Sequence, residues 1–220
     1  MHEKKQMIFL IVLLICVLGG MMYLMSVQTD KTEAGHTHTG AAATQTEEKE
    51  SGFAGTPTGI GGPFSMTDHH GNAVTEKDYA DKYKTVFFGF THCHAICPGE
   101  LQKLSEVLDI LAETGDDKKI APLFVTIDPE RDGVEEMKEY VALFDDRIIG
   151  LTGTREQVDH MKDTFKAHAE KVEMEMMEPG QYMMDHSSFT YLMSPDNKLL
   201  LIFEMKDSAE SVAKEIRSAL

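Results

Sequence analysis

TVFFGFTHCHAICPGELQKLSEVLDILAETG, residues 85–115, decides the fold. TVFFGF, 85–90, is a short apolar and aromatic run, the pattern of a strand buried on both faces. A polar loop follows, with Cys93 and Cys97 four apart and His92 and His94 beside the first cysteine. Pro98 suits the first turn of a helix, where its missing N–H costs nothing, and Glu100 suits the positive end. Leu101, Leu104, Val107, Leu108 and Leu111 keep helical spacing until Gly115. Strand, cysteine loop and helix follow in that order. Both sulfurs therefore stand at the end of a central strand and the start of the first long helix.

Outward from this stretch, GPFSMTDHHGNAV reads as a hairpin with His70-Gly71-Asn72 at its turn. IAPLFVTID, 120–128, is a second strand. Val134, Met137, Tyr140, Val141 and Phe144 mark a helix, RIIGLTG a third strand, and Glu156 to His168 a further helix with Val158, Met161 and Phe165 on one face. SSFTYLMSPDNKLLLIFE reads as two strands around a Pro-Asp-Asn turn, and 208–219 as a last amphipathic helix. Strands alternating with helices give a βαβ core, and the closing strand–turn–strand–helix adds an antiparallel edge. The expected fold is α/β and thioredoxin-like: a mixed central sheet with flanking helices, an N-terminal hairpin and an extra helix–strand unit.

The N-terminus carries a different signal. Residues 7–25, MIFLIVLLICVLGGMMYLM, hold no charge. As a helix they span roughly 28 Å, close to the hydrocarbon thickness of a bilayer. A cleaved signal peptide has a shorter apolar region ending in a small-residue site. This run reaches Met25 without one, and Leu14-Ile15 before Cys16 does not suit lipoprotein processing, so the reading is an uncleaved signal-anchor, residues 1–27. Lys4 and Lys5 precede the span, which keeps the N-terminus cytoplasmic and puts the rest outside, with a bacterial cell membrane as the expected setting. Residues 28–60 are rich in Thr, Ala, Gly and Glu without apolar periodicity, and read as a flexible linker. Residues 61–220 form the globular domain. The formal net charge of −16 excludes a nucleic-acid partner.

Outside the cytosol a cysteine pair can be oxidised. Three readings of Cys93 and Cys97 follow: a redox disulfide, a metal site, or two packed thiols. The positive end of a helix lowers a thiol pKa, which serves the first two. Thiolates are soft ligands and favour Cu(I), although spacing alone does not separate copper from zinc. A metal would want a third ligand. His186, in YMMDHSSFTYLM, precedes a strand expected beside TVFFGF, so a loop at that end reaches the cysteines. His69 and His70 read as turn residues, and His160 and His168 as a solvated helix face.

FFGFTHCHAICP, VTIDPERD and YMMDHSSFTYLM, in this order, resemble the Sco/SenC copper proteins, as does the plan of anchor, linker and thioredoxin-like domain. The similarity covers about residues 60–219. It implies copper, Cu(I) or Cu(II), held by Cys93, Cys97 and His186. It also implies a metallochaperone that serves the binuclear copper site in subunit II of cytochrome c oxidase. Copper loading would then depend on the redox state of Cys93 and Cys97. An upstream copper chaperone or a thiol–disulfide reductant is a further expected partner. The competing functions are a thiol–disulfide reductase acting on the partner's cysteines, a peroxidase-like protein, and a copper or redox sensor. The family commonly has proline after the first cysteine, where this chain has His94.

Three other features are weighed against ordinary roles. Asp128 and Asp132 resemble the family's acidic pair near the metal face, but Asp128-Pro129 also starts a turn and Asp132 suits the cap of the next helix. Met174, Met176, Met177, Met183 and Met184 offer soft thioethers for copper or partner contact, or face the core of a strand. His36 and His38 belong to the linker and could catch copper there.

Overall fold

The structure is a computed structural model, describing residues 59–173 and 182–220. A seven-stranded mixed sheet runs through it. β1 (Ser65–Asp68) and β2 (Ala73–Thr75) form the N-terminal hairpin. β3 (Tyr83–Gly89) lies in the middle, parallel to β4 (Ile120–Thr126) on one side and antiparallel to β8 (Thr190–Met193) on the other. β5 (Ile149–Thr152) continues the parallel half, and the hairpin closes its outer edge through β1. β9 (Leu199–Phe203) ends the other side.

Helices cover both faces. Phe88 of β3 meets Phe165 and Tyr191 edge-on, and Phe165 comes from α3 (Arg155–Phe165). Its neighbour Phe87 points the other way and stacks on Phe124, which meets Tyr140 of α2 (Val134–Val141). Side chains alternate across a strand, so both neighbours stay buried only if each face is covered. α1 (Ile96–Ala112) buries Leu101, Leu104, Val107, Leu108 and Leu111 and packs on α4 (Ala209–Ala219). The βαβ half, β3–α1–β4, and the closing half, β8–β9–α4, make the arrangement thioredoxin-like. The unit α2–β5 and the hairpin are its additions.

Three details depart from the sequence reading. α3 ends at Phe165, because Lys166 takes a left-handed conformation (φ 55°) and its N–H caps Asp163 and Lys162 carbonyls. His168 therefore lies beyond the helix. It leads into β6 (Ala169–Val172), which pairs with β7 (Met183–His186) in a second, two-stranded sheet. His186 accordingly ends a strand of its own and is followed by a short link to β8. Glu100 is buried one turn inside α1 and pairs with Lys103 at 2.9 Å, rather than serving the helix end. Among the described residues no helix is long and apolar enough to cross a membrane. The span expected at 7–25 and nearly all of the linker at 28–60 lie outside them.

Candidate metal centre

β3 delivers its last residues to the carboxyl end of the sheet, where α/β folds place their sites. The Cys93 N–H donates to the Phe90 carbonyl at 3.2 Å, turning the chain back. The Cys97 N–H, free at the start of α1, donates to Cys93 Sγ at 3.4 Å. Ala95, at the N-cap, has no side chain to cap this helix. The Cys93 sulfur takes that part, as a partly negative acceptor at the positive end. Cys97 Sγ is fully buried against the backbone of Gly89: a Cβ built there would lie 2.7 Å from the sulfur.

His186 arrives from β7. Its ring meets Phe87 and Phe90 edge-on, with centroids at 6.3 and 5.9 Å. Nδ1 lies 3.0 Å from the Ser187 carbonyl, which can only accept, so Nδ1 carries the proton. Nε2 is left with its lone pair toward Cys97 Sγ at 3.8 Å. A fixed tautomer of this kind is how a metal-binding imidazole is oriented. One donor atom each from Cys93, Cys97 and His186 lies within 4.8 Å of the others. Bonds of roughly 2.0–2.3 Å put three ligands of one ion roughly 3.5–4.0 Å apart. Cys97 Sγ and His186 Nε2, at 3.8 Å, already stand at that spacing, and a contraction of at most about 1 Å elsewhere fits all three around one ion. Two sulfurs and one nitrogen in an aromatic wall suit a soft, thiophilic metal.

The two thiols are not equivalent. A hydrogen bond from Cys97 holds Cys93 well below the usual thiol range, against its own burial, and backbone N–H groups add to the effect. The same shared proton and deep burial push Cys97 up. One proton thus serves both sulfurs, with the charge on Cys93.

The other expected residues fall around this triad. Asp128 and Asp132 are buried and do not join it. The Asp128 carbonyl accepts from Arg131 and Asp132 N–H, which is the expected turn. Asp132 does not cap α2, whose N-cap is Gly133 without a side-chain bond. Its carboxylate instead accepts from Thr91 N–H at 3.0 Å, Thr91 Oγ1 at 2.6 Å and Thr126 Oγ1 at 2.7 Å. Burial raises its pKa, and the same bonds oppose that rise. Met184 is buried and Met183 half-buried in β7, the packing role. Met174, Met176, Met177, His36 and His38 lie outside the described residues. His94 is exposed and His92 leans on Thr91 Oγ1 at 3.0 Å. Gly89, Thr91, Arg131 and Tyr182 were not singled out by the sequence, although a glycine inside an apolar strand is itself a sign of close approach.

The fold and site define a class: a thioredoxin-like domain with a Cys–Cys–His cluster, able to hold a soft metal, at the start of its first long helix. The sequence model of the SCO1/SenC family matches residues 54–220, and the chain belongs to that family. It is similar to the protein sco1 of Schizosaccharomyces pombe, 39% identical over 159 residues, covering 72% of this chain and 60% of that one. It is likewise similar to the human protein SCO1 homolog, mitochondrial, 38% identical over 157 residues, 71% of this chain and 52% of that one. The chain thus spans only a little over half the length of these relatives. Among solved structures, Bradyrhizobium japonicum ScoI with copper bound superposes with a TM-score of 0.67 at 37% identity, covering 73% of this chain and 99% of that one. Arabidopsis thaliana ScoI with copper bound gives 0.66 at 39% identity, with 72% and 99% covered.

Proposed function

We propose that the chain is a copper metallochaperone of the SCO1/SenC family, acting in assembly of the binuclear copper site of cytochrome c oxidase subunit II. Cys93 and Cys97 supply two thiolates and His186 an imidazole. The observation that carries this is the His186 ring, with its Nδ1 proton committed to Ser187 and its Nε2 free beside both sulfurs. Three ligands leave room for a partner's ligand to join, which permits hand-over by exchange. Oxidation of Cys93 and Cys97 to a disulfide removes two of the three ligands, so copper loading follows redox state. An upstream copper chaperone or a thiol–disulfide reductant completes the expected partners. Residues 1–27 are proposed as a single-pass anchor with a cytoplasmic N-terminus, 28–60 as a linker and 61–220 as the extracytoplasmic copper domain.

The unequal thiols support a second reading. A depressed Cys93 beside a protonated Cys97 also suits a thiol–disulfide reductase acting on a partner's cysteines. The His186→Ala variant separates the two. Loss of Cu(I) in competition with a chelator, at unchanged reductase rate, is expected of the chaperone. Unchanged Cu(I) affinity would overturn the three-ligand site.

A further inference from the structure

The two halves of the centre come from different sheets. The cysteines follow β3 in the large sheet, while His186 ends β7 in the small one. The 127–132 loop, IDPERD, touches both. On one side Asp132 takes three hydrogen bonds, two of them from Thr91, two residues before Cys93. On the other side Asp128 accepts from the Tyr182 hydroxyl at 2.8 Å and pairs with Arg131. Arg131 in turn donates to the Tyr182 carbonyl at 3.2 Å and lies over the Tyr182 ring, 3.8 Å from its centroid. Tyr182 stands four residues before His186. Glu130 adds a pair with Lys171 of β6, whose ammonium covers the same Tyr182 ring at 4.4 Å. Asp128 and Asp132 are both fully buried, so each carboxylate depends on these partners.

We infer that the 127–132 loop is the joint that registers the two halves of the metal centre: Asp132 positions the cysteine loop, and Asp128, with Arg131 and Tyr182, positions the histidine strand. Neither aspartate is a ligand. They act through Cys93 and His186 respectively, and their effects are separable because the two carboxylates hold different segments. The inference rests on the reading of Cys93, Cys97 and His186 as one site, but its test needs no metal.

The test uses the reduced, metal-free full chain and peptide-resolved mass spectrometry. Iodoacetamide reports Cys93, and diethyl pyrocarbonate reports His186. Asp132→Asn is expected to speed Cys93 alkylation at least fivefold and leave His186 within twofold. Asp128→Asn and Tyr182→Phe are expected to do the reverse. Should Asp132→Asn fail to fold by circular dichroism, Thr91→Val carries the same prediction, and Thr91→Ser, which keeps the hydroxyl, should restore wild-type rates. Both reactivities moving together, neither moving, or the wrong half responding overturns the inference. Cu(I) added to the wild type should protect both residues. Failure of that protection alone would count against the copper reading while leaving the joint intact.

Discussion

At the scale of the residue, the space around Cys97 decides what the site tolerates. Gly89 has an ordinary extended backbone, so its freedom of conformation is not the reason for it. The reason is room: an added methyl would sit 2.7 Å from Cys97 Sγ and 2.7 Å from the Phe124 ring. Phe124 is fully buried and cannot retreat. Gly89→Ala should therefore cost about 1–3 kcal/mol in chemical denaturation and weaken Cu(I) by at least tenfold in chelator competition. Wild-type stability and affinity together would show that the sulfur has room to move. Cys93 gives a second prediction. Its proton-sharing partner holds it ionised, so its alkylation rate in the metal-free protein should stay nearly flat between about pH 6 and 8. A free thiol would slow roughly tenfold per unit over that range. A slope of that size would assign the charge elsewhere. The ligand residues were legible in the sequence because cysteine and histidine announce their chemistry by type. Gly89 and Thr91 do not, since their parts consist of an absent side chain and of a bond to a distant carboxylate.

At the scale of the element, legibility followed burial. β3 and β4 are covered on both faces and so appear as unbroken apolar runs. α1 shows its leucine stripe for the same reason. β6 is the opposite case: in Ala169–Val172 three of the four residues are exposed, and its partner is a strand rather than the core. No period marks it, so the small sheet that carries His186 is not legible from this strand. The end of α3 was hidden likewise, because a lysine at positive φ has no composition signal. The hairpin is legible from its turn residues, whereas its tie to the large sheet is not. His69 is buried, and its Nδ1 accepts the Gly150 N–H of β5 at 3.0 Å. That bond needs the neutral ring, and burial lowers the His69 pKa below its ordinary 6.5. The unfolded state then binds the proton first. This contribution is complete above pH 6.5 and is lost as pH falls from there through the folded value. The hydrogen-bonded Asp68 beside it, also lowered, loses its own contribution only below its ordinary 3.8. Denaturant midpoints should thus decline in two steps. His69→Asn, which offers an acceptor that does not titrate in this range, should flatten the upper step. A variant that declines as the wild type does would remove His69 from the account.

At the scale of the whole molecule, the proposed ligands tie together parts that the backbone leaves separate. Cys93 and Cys97 span one helix start, a loop of three intervening residues. Cys97 and His186 stand 89 positions apart and belong to different sheets. An ion that binds only the folded protein stabilises it by about 4.1 kcal/mol at a thousandfold excess over its dissociation constant. For a chain of this size that corresponds to a rise of roughly 8–16 °C in Tm. Calorimetry of the Cu(I)-loaded and metal-free chain should show such a rise, and oxidation of Cys93 and Cys97 beforehand should abolish it. His186→Ala then divides the effect. With two thiolates left, an ion still closes the short loop at the helix start but no longer reaches β7. The rise should fall below half that of the wild type, because weaker binding leaves less free energy to add to the native state. An equal rise in both proteins would mean that the metal sits on the sulfurs alone. The small sheet would then have no share in holding it, and the closeness of His186 Nε2 to Cys97 would have to serve proton sharing instead.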